Sequence, residues 1–274
     1  MARRGGRAWG DPEISGEVLS SILAAPESFL WSNLHRPVKL DMGSLVVEAE
    51  LPTNRGPVHV FFKRYRATKW WKKLLSNVRR SRSMRVWRQG RAMRERGIAT
   101  PQPVLACEVR AGWQRYGYLA VRWVEGAENL YGYGLKLSAR APCERMRRAH
   151  ACAECLGRLL GRMHSERMIH GDLKATNILI AARETGLEMW LVDLDAARFV
   201  RRATPPRRAA DLARLALSMY RFPWVSRTVA CRFFRAYAAQ CGGTRTEWKQ
   251  LWRAIEYHRR RIFEKKCRRG EEIW

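Results

Sequence analysis

His170-Gly171-Asp172-Leu173-Lys174-Ala175-Thr176-Asn177 is the stretch from which the rest of this 274-residue chain can be read. It has the form H-x-D-L-K-x-x-N, and Asp193 follows sixteen residues after Asn177. Upstream, Leu156, Leu159, Leu160 and Met163 recur at helical spacing, which predicts an amphipathic helix from about Glu144 to Ser165. Downstream, Ile178-Leu179-Ile180 and Met189-Trp190-Leu191-Val192 are short apolar runs with Gly186 between them, the pattern of a hairpin. Asp193 then stands just past the second strand. Helix, polar loop, hairpin and acid follow one another, so the octet reads as a loop held between regular elements.

The catalytic loop of kinases has its His, Asp, Leu and Asn at the same spacing. In that chemistry an Asp accepts the proton of the attacking hydroxyl, while an Asn and a later Asp hold the metal that bridges the phosphates. Asp172 is therefore the candidate base, and Asn177 and Asp193 are the candidate metal ligands. Lys174 is placed to offset charge on the transferred phosphoryl group. An accidental match in a surface loop would not come with a helix before it and a hairpin after it.

Composition sets the surroundings. The chain carries 53 Lys+Arg against 25 Asp+Glu, a net charge of +28, which attracts polyanions. Hydrophobic residues make up 46%, enough for a sizeable core. No stretch approaches the roughly 18 apolar residues of a membrane helix. Asp11, Glu13 and Glu17 interrupt the N-terminal stretch where a secretion signal would be apolar, so a cytoplasmic chain is expected. Seven cysteines, an odd number, read as free thiols. Cys152 and Cys155 form one C-x-x-C on the expected helix; without a second pair they read as spare thiols rather than a zinc site.

Taken in order, residues 1–36 have no clear period and read as a loosely ordered extension, with Trp31 and Leu34 available to pack it down. From Val38 the pattern is β. Leu45-Val46-Val47 and Ala49–Leu51 predict one or two strands, and Pro52–Gly56 a turn. Val58, Val60 and Phe62 then alternate with His59, Phe61 and Lys63. Lys63 closes that strand, where kinases carry the Lys that grips the α- and β-phosphates. Gly43 is the single glycine available for a phosphate-covering loop. Residues 63–96 hold fourteen Lys/Arg and one acid, Glu95. Within them, Lys69-Trp70-Trp71-Lys72-Lys73 mixes cations with indoles, a composition suited to an anionic membrane surface, where each cation contributes on the order of 1 kcal/mol. A solvated basic face or a nucleic-acid patch is the competing reading.

Ser83–Gly97 predicts a helix with Val86, Gly90 and Met93 on one face. Glu95 falls outside that face and cannot be assigned as the partner of Lys63, which leaves that partner open. Val104–Val109 and Tyr116–Val124 predict two more strands, and Glu125-Gly126 a hinge whose backbone would meet adenine. After Asp195, a basic stretch around Pro205-Pro206 either contacts an anionic acceptor or is solvated. Asp211 is read in the first turn of a following helix, where it favours the dipole or reaches the octet's backbone. Phe233, Tyr237, Trp248, Leu251, Trp252 and Ile255 supply two final core helices, with Thr244 and Glu247 as a capping box.

Val38 to Phe263 resembles the lipopolysaccharide core kinase family, bacterial enzymes that phosphorylate Kdo or heptose sugars. The residues that carry the resemblance are Lys63-Arg64-Tyr65, Arg96–Pro103, Trp123–Leu130, His170–Leu179 and Leu191–Asp195. Asp193-Leu194-Asp195 in place of D-F-G, and Gly171 in place of the Arg of H-R-D, are similar to small-molecule kinases. The resemblance implies an α+β, bilobal protein-kinase-like fold, with an antiparallel small lobe bearing one helix and a mainly helical large lobe. It implies ATP and Mg²⁺, a glycolipid sugar as acceptor, Asp172 as base, Asn177 and Asp193 on metal, and Lys63 on phosphate.

The expected divisions are an extension at 1–36, a small lobe at 37–125, a large lobe at 126–263 and a basic tail at 264–274. The expected workplace is the cytoplasmic face of the inner membrane. A pseudokinase-like basic binding module, and a kinase acting on protein, are the rival readings. Intact Asp172, Asn177 and Asp193 weigh against the first. The absence of an A-P-E segment after Asp195 weighs against the second.

Overall fold

The computed structural model describes residues 6–33, 37–41, 44–65, 81–111 and 114–270. It divides into two compact units, the first formed by the chain up to Ala92 with Pro101–Val124, the second by Met93–Thr100 with Glu125 onward. Each is described by itself.

The first unit is built on a six-stranded antiparallel sheet. In chain order its strands are β1 (Gly6–Gly10), β2 (Pro37–Asp41), β3 (Ser44–Leu51), β4 (Val58–Tyr65), β5 (Pro103–Ala111) and β6 (Gln114–Arg122), arranged β1-β5-β6-β4-β3-β2. Alternation in the sequence dictates its faces. Val47 pairs with Phe62 and Phe62 with Ala120, so these small and aromatic residues lie on one side, fully buried. Lys63 pairs with Val46 and Leu119, one position out of phase, and so belongs to the opposite face. Phe61 is on that face too and stacks on Trp123 with centroids 4.3 Å apart.

Residues 6–33 are not a loose extension. They form edge strand β1, helix α1 (Gly16–Ala24) and helix α2 (Pro26–Ser32). β1 pairs with β5 from Gly6↔Val109 to Gly10↔Leu105. Ile14, Ile22 and Leu30 complete the core over the Phe62 face, and Phe29 meets Phe62 at 4.9 Å. A half-buried polar clasp fixes this cover: Glu27 accepts from Tyr118 Oη at 2.6 Å and from Arg64 at 2.9 Å. Burial of the aliphatic side chains outweighs the unremarkable periodicity of the segment. Trp31, expected to pack it down, is 53% exposed and lies beside the Arg64 guanidinium, while Leu30 is wholly buried. Leu34, Gly43 and Lys69–Lys73 lie outside the described residues.

Helix α3 (Arg82–Glu95) begins at Ser81, whose side chain accepts from Met84 N, and Ser83 Oγ donates to Cys107 O on β5. Val86, Gly90 and Met93 are buried and Glu95 is exposed, as the sequence pattern requires. One helix was expected in this part of the chain; α1 and α2 are additional to it.

The second unit is mainly helical: α4 (Leu130–Ser138), α5 (Pro142–Ser165), α6 (Pro205–Ser218), α7 (Arg227–Cys241) and α8 (Arg245–Arg268). Small sheets join β7 (Glu128–Asn129) and β10 (Gly186–Leu191) to β9 (Ile178–Arg183), and β11 (Arg198–Phe199) to β8 (Met168–Ile169). The 178–191 hairpin is in register from Ile178↔Leu191 to Arg183↔Gly186. Pro205 opens α6 at the position where its missing N–H costs nothing, so the helix starts earlier than the leucine pattern indicates. Asp211 consequently lies mid-helix, not in the first turn. The Thr244–Glu247 capping box is present, and α8 carries the expected basic tail as helix to Arg268.

Candidate active site

The entry to the octet is fixed by backbone geometry. Arg167 (φ 59°) turns the chain out of α5, and Gly171 (φ 82°) turns it again inside the loop. A Cβ on Gly171 would lie 2.8 Å from Ala196 O, which explains why a glycine stands beside the base. Leu173 is wholly buried and anchors the loop, and Ala175 N donates to Ser218 Oγ at the end of α6.

Behind the loop is a buried carboxylate. Asp211 has no exposed surface; it accepts from His170 N at 2.7 Å and Gly171 N at 2.9 Å. Burial pushes its pKa up, but His164 and the two N–H donors pull it further down, leaving it below the usual range. The structure thus gives Asp211 the second of its two expected roles. His170 is also buried, which pushes its pKa down, so the ring is neutral and Nε2–H donates to Val192 O at 3.0 Å. Val192 N in turn donates to Asn177 O at 3.0 Å. Asp193 comes next in the chain, in a left-handed conformation (φ 56°, ψ 57°) that costs energy for a residue with a Cβ. The two-sided hold on Val192 is what keeps it there.

The front of the loop is open. The Asp172 side chain is 48% exposed, with Lys174 Nζ 3.2 Å from Oδ2. Asn177 Nδ2 donates to Asp172 O at 2.8 Å and approaches Asp172 Oδ2 at 3.3 Å. With the amide nitrogen committed to Asp172, the Asn177 Oδ1 end is the one left for a cation. An amide oxygen and a carboxylate are hard oxygen donors, the set magnesium accepts together with phosphate oxygens and water. The residues present fit that ion.

The structure therefore brings Asp172, Lys174 and Asn177 together and seats Asp193 one residue past Val192, which His170 and Asn177 hold. Lys63 is on β4 of the first unit, with Nζ 4.8 Å from the Tyr65 ring centroid. The Glu125 carbonyl, expected at the hinge, accepts from Arg183 Nη2 at 2.7 Å. Cys152 is buried, which pushes its thiol up to about 12, and Cys155 Sγ points at Leu187 O, 3.2 Å away. Both behave as packed thiols.

Two features escaped the sequence reading. One is His164, buried beside Asp211 on the apolar face of α5, where periodicity does not distinguish it from Leu160 or Met163. The other is a cavity of about 420 Å³ among α4–α8, walled by Leu130, Leu156, Leu212, Val229 and Phe233. Tyr220 and Trp252, 60% and 46% exposed, stand at its lining, with the Glu256–Arg259 ion pair beside them.

The family model for the lipopolysaccharide kinase (Kdo/WaaP) family matches residues 46–237. A 3-deoxy-D-manno-octulosonic acid kinase of Xylella fastidiosa (strain M12) is 33% identical over 140 residues, covering 51% of each chain. Its counterparts from Stenotrophomonas maltophilia (strain K279a) and Xanthomonas campestris pv. campestris (strain B100) are 31% and 34% identical, again over 51% of each chain. The chain thus spans about half the length of the curated relatives it matches. A solved structure, WaaP in complex with acyl carrier protein, aligns with a TM-score of 0.65 and 18% identity over 94% of this chain and 98% of that one. At that identity the likeness is one of fold, an α+β protein-kinase-like fold.

Proposed function

Because the chain belongs to the lipopolysaccharide kinase (Kdo/WaaP) family, we propose that it transfers the γ-phosphoryl group of ATP to a sugar hydroxyl of a lipopolysaccharide-core glycolipid. The observation that carries this reading is the open cluster of Asp172, Lys174 and Asn177, fixed from behind through Asp211. Bound ATP with Mg²⁺ would supply an electrophilic γ-phosphorus whose oxygens are partly neutralised. Asp172 takes the proton of the sugar hydroxyl as the new O–P bond forms and the bond to the β-phosphate oxygen breaks. Lys174 stands beside that carboxylate and offsets charge on the group in transit. Asn177 Oδ1 and the Asp193 carboxylate would hold the metal. Lys63 would grip the α- and β-phosphates, and Glu125 backbone groups would meet adenine. The +28 charge favours work at an anionic membrane face, cytoplasmic in this reading. Among the described residues no helix is long and apolar enough to cross a membrane.

The test is transfer of radiolabelled phosphate from ATP to a Kdo-bearing lipid A acceptor in anionic vesicles. Asp172→Ala should lower the rate about 10²–10⁴-fold. An unchanged rate removes Asp172 from the mechanism, and wild-type protein without transfer to any core glycolipid removes the reading.

The cavity supports a second element of this reading. WaaP has been solved with acyl carrier protein, and we read the apolar walls here as room for one acyl chain, each buried CH₂ contributing about 0.8 kcal/mol. Long-chain acyl carrier protein should then raise the melting temperature and the unacylated form should not. Equal shifts, or the same shift with Ala230→Trp narrowing the cavity, would dispose of it.

A further inference from the structure

The loop's rear support continues one residue deeper than Asp211. His164 Nδ1 lies 2.7 Å from Tyr237 Oη, and His164 Nε2 lies 3.6 Å from Asp211 Oδ2. All three side chains are buried, Tyr237 and Asp211 with no exposed surface. They come from three different helices: His164 from α5, Asp211 from α6 and Tyr237 from α7.

Charge decides which way the protons face. Burial pushes the His164 pKa down, so the ring is neutral and carries one N–H. A bare Nε2 lone pair facing the Asp211 carboxylate would be repelled; an Nε2–H facing it is attracted. Nδ1 is then an acceptor, and the Tyr237 hydroxyl must donate to it. The other groups acting on this hydroxyl are Arg208, which can only donate, and Cys241, whose S–H turns to Gly161 O at 3.3 Å and whose sulfur is a weak acceptor beside an imidazole nitrogen.

The approach of α7 to α5 is also built for this contact. A Cβ on Gly157 would overlap Phe233 O, and one on Gly161 would lie 2.8 Å from Tyr237 O. Two glycines four apart let the backbones touch where Tyr237 reaches across. Ring stacking adds little reason for a hydroxyl at this depth, because Phe233 and Trp248 contact the Tyr237 ring and not its oxygen.

From this geometry we infer that Tyr237 is a positioning residue for the catalytic loop, acting through His164 and Asp211 on the backbone of His170 and Gly171. Its hydroxyl fixes the imidazole tautomer. The tautomer directs an N–H at Asp211, and the carboxylate so held keeps both backbone donors in place. The kinetic part of this inference rests on the kinase reading; the structural part does not.

The experiment combines imidazole ¹⁵N NMR, amide hydrogen exchange and kinetics on the full chain. In wild type, His164 should carry its proton on Nε2; a proton on Nδ1 overturns the inference without any variant. Tyr237→Phe, which keeps the ring, should give a mixed tautomer and speed exchange at His170 and Gly171 on the order of tenfold, the size of one lost hydrogen bond. It should also lower kcat by a similar factor while leaving KM for ATP nearly unchanged. In a His164→Gln background the same change should have no further effect; an additive effect would mean that Tyr237 acts independently of His164. Phe233→Leu, which loosens the same packing, should leave the tautomer as in wild type, and a shifted tautomer there would reduce Tyr237 to a packing residue. Absence of phosphoryl transfer in wild type would defeat the kinase reading, while the NMR and exchange results would still decide the role of Tyr237.

Discussion

The two sides of the octet are opposites. Its front, Asp172 with Lys174, is about half exposed, and its charges meet in water-accessible space. Its back, Asp211 with His164 and Tyr237, is sealed, and each polar atom there was placed by folding. Charges like those in front contribute little to stability, because solvent screens them. Those at the back are costly to disturb, because nothing replaces a lost partner. Chemistry and support are thus separated by the thickness of one loop, and a substitution should reveal which side it strikes.

The strongest case is Asp211→Ala, which orphans the His170 and Gly171 N–H groups together. A loss of about 3 kcal/mol in urea unfolding of the second unit is expected, along with loss of activity. Asp172→Ala should match it in activity with an unchanged unfolding midpoint; a large stability loss at Asp172 would erase the distinction. Gly171→Ala sits between the two sides. Its positive φ and the 2.8 Å approach to Ala196 O should cost about 2 kcal/mol and shift Asp172 with the backbone, so stability and rate fall together. Full activity in that variant would mean that the loop tolerates a different turn.

A milder way to address the back is pH. His164 and His170 are both held below the usual 6.5 by burial. The unfolded chain therefore binds protons at these rings before the folded chain does. Stability present above about pH 6.5 is lost on acidification, so the urea midpoint should fall between about pH 7.5 and pH 5.5. A midpoint flat over that interval would show that the imidazoles are hydrated after all.

Legibility in the sequence followed the same division. The front was readable because its residue types are chemical and its spacing short: Asp172, Lys174 and Asn177 fall within six positions, and Gly186 marks the hairpin beyond. The exposed Glu95 and the Thr244 cap were equally local. The back was not readable, since His164 and Tyr237 are polar residues on apolar helix faces, and only tertiary contact gives them partners. Asp211 was noticed but misplaced, because Pro205 extends the helix backwards. Residues 6–33 were missed for a related reason. The partner of Gly6 is Val109, about a hundred positions away, and a seven-residue helix such as α2 is held by Leu30 and Glu27 rather than by its own propensity.

That first strand has a consequence for handling the protein. β1 covers the outer rim of β5 with a short, glycine-ended ribbon bearing Arg7. Trimming the chain to the start of the family match would strip this ribbon, bare the edge of β5 from Leu105 to Val109 and open the Phe62 face to solvent. Such a fragment should self-associate strand to strand and be nicked readily by proteases.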